Sequence, residues 1–178
     1  MALETMVAPT IEPVTLTQAR AFFRVGTDGD DGVLTSLLIA AREALEARTG
    51  RALITRTLRQ GFKVPTRSCL LGTFVPGRIP VSNVVAVSLI GADGTQTPAP
   101  ASLVRLMDGR FVVTEPLSAS VAGLSIDYQA GYSTSEAGVP EAFKVSILEA
   151  VADVLERRDN SNSDGGNSWD DIAYEVKL

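Results

Sequence analysis

The side chains that most often carry chemistry are scarce in this chain, and that scarcity removes whole classes of function. There is no histidine, so the commonest general base near neutral pH and the commonest metal ligand are both missing. Ser-His-Asp and Cys-His catalysis are excluded outright. Cys69 is the one cysteine, which rules out an intrachain disulfide or a multi-cysteine metal site. The loop Asp28-Gly29-Asp30-Asp31-Gly32 is rich in carboxylates. It lacks the alternating ligands and distal glutamate of a calcium loop, so it reads as a solvated connection whose acids favour a helix start. The glycines near Asp93, Asp108 and Gly131 lack the Lys-Ser or Gly-x-x-Gly context of a phosphate loop. Carboxylate pairs occur at Glu43 with Glu46 and at Asp170 with Asp171, both on expected surfaces. Nothing here points to an enzyme, and no cofactor or metal is expected.

Two other patterns carry more information. The net charge is -5, which argues against electrostatic wrapping of nucleic acid. Yet no acid occurs between Glu46 and Asp93, a stretch that holds Arg48, Arg51, Arg56, Arg59, Lys63, Arg67 and Arg78. Either it presents a basic partner surface, or it is the solvated side of strands whose other side is apolar. The second pattern is the apolar peptide Trp169, Ile172, Tyr174, Val176 and Leu178, which follows a polar spacer. This peptide is either a docking motif or a tail that folds back on its own domain; docking is favoured, because Trp and Tyr are enriched at binding hot spots and the spacer gives reach.

These residues have to be positioned by a chain of 178 residues with 45% apolar side chains, enough for one domain and its core. No apolar run approaches the roughly 20 residues of a spanning helix, and residues 1–14 carry acids ahead of any apolar segment, so neither a signal peptide nor a membrane span is expected. Thr15 and Gln18 form a capping-box pattern for a first helix over 15–25, with Leu16, Ala19, Phe22 and Phe23 on its apolar face and Gly26 ending it. A second helix spans 31–49, with Leu34, Leu37, Leu38, Ala41 and Leu45 facing the core and Gly50 as its cap. Its second stripe, Val33, Ala40, Ala44 and Ala47, permits close approach of another helix.

From 53 to 128 the texture turns to Thr, Val, Gly and Pro, which favours strands. In the first strand Arg56 and Gln60 share the parity of Ile54, Leu58 and Phe62 and spoil a clean alternation. Further strands are expected over Val84 to Ile90, Leu103 to Met107, Arg110 to Thr114 and Leu124 to Tyr128, with turn signals at Asp93-Gly94 and Asp108-Gly109. The period then switches from about two to about 3.6, as Phe143, Ile147, Val151 and Leu155 recur in a last helix over 140–158. The expected fold class is α+β and mainly helical. It is a small bundle of three main helices with a β-rich insertion between the second and last, preceded by an arm over 1–13. A flexible linker over 159–168 and a docking peptide over 169–178 follow.

In this order the pieces resemble the head-tail connector, or adaptor, proteins of long-tailed double-stranded DNA phages and gene transfer agents. The pieces are Val14 to Ala19 with Phe23-Arg24-Val25; Ala40 to Ala44 leading into Thr49 to Leu53; and Ile79-Pro80-Val81 ahead of Asp93-Gly94. The last is Tyr128 to Tyr132 with Val139-Pro140, Phe143-Lys144 and Ile147-Leu148. The resemblance implies a virion protein at the head-tail junction, present in host cytoplasm during assembly. It implies a homo-oligomeric ring, typically a dodecamer, beneath the portal protein. The ring would extend the channel through which genomic DNA passes and meet the next head-completion or tail protein. By the same resemblance, Trp169, Ile172, Tyr174, Val176 and Leu178 would dock on the portal. A ring needs two unlike side faces, and the stripes Val33, Ala40, Ala44, Ala47 and Ala142, Val145, Leu148, Ala152 could supply the subunit interface. The alternative is a small monomeric or dimeric adaptor or regulatory domain that binds another protein.

Overall fold

The computed structural model describes residues 3–24, 31–64 and 72–161, with side chains up to 157. The loop acids Asp28 and Asp30, together with Gly26, Arg67, Cys69 and the peptide Trp169 to Leu178, lie outside the described residues.

Strand β1 covers Leu3–Val7, within what reads in sequence as an arm. Helix α1, Leu16–Phe23, begins where Thr15 accepts a bond from the Gln18 amide and the Gln18 side chain accepts one from the Thr15 amide, a complete capping box. It ends at Arg24, which takes the left-handed conformation at φ 55°. Helix α2, Asp31–Thr49, ends at Gly50, also left-handed at φ 66°. Arg20 of α1 donates through Nε to Asp31 Oδ1 at 3.0 Å, so an acid of the carboxylate-rich loop is an ion-pair partner.

The strands follow: β2 Arg56–Lys63, β3 Thr73–Phe74, β4 Val81–Gly91, β5 Gln96–Ala99, β6 Val104–Met107, β7 Arg110–Val113 and β8 Val121–Ala130. Helix α3, Glu141–Ser161, closes the described chain and runs past Arg158 into the segment expected to be linker. Two antiparallel sheets result, one ordered β1-β2-β8-β4-β5 and the other β3-β7-β6. Among the described residues strand and helix are about equal in extent, and the strands form two sheets. The fold is therefore a β-rich α+β fold, and the expectation of a mainly helical one is corrected. Thr, Val and Gly texture located the strands, but nothing local foretold that they would stack into two sheets or recruit Leu3–Val7.

The sheets enclose their own core. Phe62 of β2 lies 5.0 Å from Phe74 and 6.1 Å from Phe111, and Phe111 lies 5.0 Å from Tyr128 of β8, ring centre to ring centre. Leu58, Val87, Val104, Val113, Leu124 and Ile126 complete it. The helices build a second core from Ala19, Leu34, Leu38, Leu45, Ile147 and Val151, with Phe143 and Leu155 packed against it. Leu53 and Ile54, just before β2, and Val139, just before α3, are buried in that helical core. Among the described residues no helix is long and apolar enough to cross a membrane.

Candidate assembly surfaces and the joint between them

The two cores meet at a joint that the sequence builds from charge. Arg42 and Glu46 stand one turn apart on α2, and both are buried. Glu46 Oε2 accepts from Arg42 Nη1 at 3.0 Å and from Arg56 Nη2 of β2 at 2.6 Å. Its other oxygen accepts from the Leu53 amide at 2.8 Å. Arg42 also donates to Glu12 Oε2 at 2.7 Å, which ties down the segment ahead of α1. Burial alone would depress the Arg42 pKa, but its hydrogen bond and charge pairing with Glu12, joined by Glu46 and Glu43, hold it above the usual value. Each charge is satisfied by partners from another element, the condition under which a buried pair is tolerated. Among the described residues, Arg56 Nε alone is a buried side-chain polar atom without a partner. Glu46, expected on a surface beside Glu43, is thus the hub of the interior; only Glu43 is exposed.

Backbone bonds complete the joint. The Thr55 amide donates to Ser133 O at 2.8 Å, and the Tyr132 amide donates to Leu53 O at 3.2 Å. Between them Gly131 adopts φ 146°, and a Cβ there would collide with the backbone of Thr55. This is the point where β8 leaves the sandwich and the chain heads for α3, and only glycine fits the crossing.

The joint also explains the awkward parity of β2. Leu58 pairs with Tyr128, Gln60 with Ile126 and Phe62 with Leu124, all on the inward face. Arg56 points inward to reach Glu46, and Gln60 points inward to accept from Tyr128 Oη at 3.2 Å and from the Gly77 amide at 2.7 Å. Desolvation raises the Tyr128 pKa above its ordinary 10.0. On the outer face, Arg59 meets Asp127 in two bonds of 2.7 Å each.

The basic side chains of the acid-free stretch are accordingly dispersed. Arg56 and Arg59 are taken up by Glu46 and Asp127. Arg51 bonds the Tyr132 hydroxyl and lies 5.8 Å from the centre of that ring, while Arg78 donates to the Gly77 carbonyl at 3.1 Å. Arg48 and Lys63 are exposed. The acids that answer this stretch come from outside it, a signal present in sequence as Glu46 at its border.

The candidate interface stripes lie mostly on the surface. Val33 is 43% exposed and Ala40, Ala44 and Ala47 share its exposure class; on α3 Ala142 is exposed and Val145 is 44% exposed. Ala152 is half-buried, and Leu148, at 9%, is part of the helical core. A group of three or more potential metal ligands does not occur among the described residues.

No protein-family model matches the sequence, and neither does any curated protein. Solved structures do. A chain from the neck of an empty gene transfer agent particle, computed with sixfold symmetry, superposes with a TM-score of 0.69 at 30% identity, covering 88% of this chain and 84% of that one. A chain of the virion of a native gene transfer agent particle gives 0.70 at 28% identity, covering 94% and 89%. A third, from a native neck computed with twelvefold symmetry, gives 0.67 at 24% identity over 88% and 84%, and shows likeness of fold. The likeness to chains of the neck and virion makes this a structural protein of the virion neck. The chain belongs to the head-tail connector family of long-tailed phages and gene transfer agents.

Proposed function

We propose that this protein is the adaptor subunit of the neck, forming a ring beneath the portal that extends the DNA channel and receives the next head-completion or tail protein. The observation that carries this reading is the 30% identity over 88% of the chain with a subunit of a symmetric particle neck. The role is structural rather than catalytic. In the ring, the exposed stripe Val33, Ala40, Ala44 and Ala47 of α2 faces one neighbour, and Ala142 and Val145 of α3 face the other, which gives the two unlike sides a closed head-to-tail ring requires. The net charge of -5, with Arg56 and Arg59 paired to carboxylates, supports a channel that genomic DNA traverses without sequence-specific binding. The peptide from Trp169 to Leu178 is the portal-docking element, reaching its site by way of the polar residues before it.

Negative-stain imaging of the full chain, alone and mixed with portal, tests the reading. Rings are expected on the portal; absence of both rings and portal binding under every condition would overturn it. Deletion of Asn167 to Leu178 is expected to leave the melting temperature unchanged and to weaken portal binding. Equal binding by the shortened chain would remove the peptide from the docking role.

A further inference from the structure

The two sheets end in four strand edges, and the four are not alike. β5 carries Pro98 opposite Ser88, and proline interrupts an edge as a template for pairing. β3 is two residues long. β1 and β6 contain no proline, and no described residue pairs with the outer edge of either. Such an edge is a ready template for another strand.

These two open edges sit on opposite sides of the sandwich. β1 lies outside β2, which faces Phe74 of β3, whereas β6 approaches β4, at the other side of β8. Both strands are exposed beyond their first residue, on both faces. Val7 of β1 is 58% exposed and Met107 of β6 is 54% exposed, beside Met6 and Leu106. The charges are complementary as well. Glu4 stands opposite Arg59, whose guanidinium is already held twice by Asp127, while Arg105 of β6 and Arg110 of β7 have no ion pair among the described residues.

We propose that β1 of one copy adds to the β6 edge of the next, so that sheets of adjacent subunits join in a ladder that runs around the ring. This rests on the ring reading above and names a contact within it. The occupant is a second copy because each chain offers one open edge per side, with apolar and charged side chains that match its own opposite side. A pairing of β1 with β1 would instead give a two-fold dimer and leave β6 bare.

Cross-linking tests the contact in assembled rings of the full chain with Cys69→Ser. Met6→Cys combined with Met107→Cys, which share the faces of Glu4 and Arg105, treated with a short bismaleimide that spans the roughly 7–8 Å between diagonal neighbours on paired strands, should give a ladder of covalent oligomers. Each single cysteine should leave monomers on a denaturing gel. Rings that form without a ladder overturn strand addition and leave the ring itself standing. Dimers from Met6→Cys alone overturn it in favour of β1 pairing with itself. Failure to form rings with the unsubstituted chain, alone and on portal, overturns the ring and this contact together. As a second measurement, Glu4→Arg or Arg105→Glu alone should lower ring yield about tenfold, and the two together should restore it. Loss that the double reversal does not repair counts against the pairing, with circular dichroism confirming that each variant is folded.

Discussion

Glu46 receives three donors from two layers of the protein, and few single atoms in the fold are asked to do as much as its carboxylate. Removing it would leave Arg42 and Arg56 buried without their common partner, so Glu46→Ala is expected to cost about 3–5 kcal/mol in chemical denaturation. Glu46→Gln keeps an acceptor for Leu53 and should fall short of that loss. Tyr128 yields a prediction in pH. Its folded-state pKa is raised by burial, so its stabilising contribution is intact below 10.0 and is lost as pH rises through the higher folded value. Tyr128→Phe should therefore flatten the fall in melting temperature above pH 10 while losing the bond to Gln60. At this scale the sequence showed that Arg56 and Gln60 were out of place on an apolar face, but not why. Their partners, Glu46 and Tyr128, are separated from them by a helix end in one case and by 68 positions in the other, and no local period reports such pairs.

Among the elements, the helices were the most legible, because capping chemistry and the 3.6 period are local. Thr15 with Gln18, and Gly50 after Thr49, mark ends that the structure places within a residue or so. Thr15→Ala should cost about 1 kcal/mol by removing the side-chain acceptor for the Gln18 amide. The hairpin over Asp108-Gly109 was equally visible, since both residues take positive φ. β1 was not, because five residues with mixed polarity form a strand only once β2 offers its edge. The strand-to-helix switch after Tyr128 was apparent from the change of period, whereas its pivot depends on how closely Thr55 passes. Gly131→Ala should lower stability by at least about 2 kcal/mol, since the new methyl meets backbone that cannot move aside. A melting temperature equal to that of the parent would show that the crossing is looser than this.

At the scale of the whole molecule, the ring proposed above gives the exposed stripe on α2 a role in assembly rather than in folding. Ala44→Glu should leave monomer stability within about 0.5 kcal/mol and prevent ring formation, as read by light scattering and negative stain. The order of strands in the two sheets was beyond reach of composition and period, because β2, β8 and β4 come from distant parts of the chain. The helical and sandwich interiors are packed separately and share the short stretch Ala52 to Ile54 along with the Glu46 cluster. Amide protons should consequently exchange in two cooperative groups, Leu38 with Val151 in one and Leu124 with Ile126 in the other, and Glu46→Ala should pull their opening energies apart. A neck subunit built this way can hold its neighbours through one group while the other breathes.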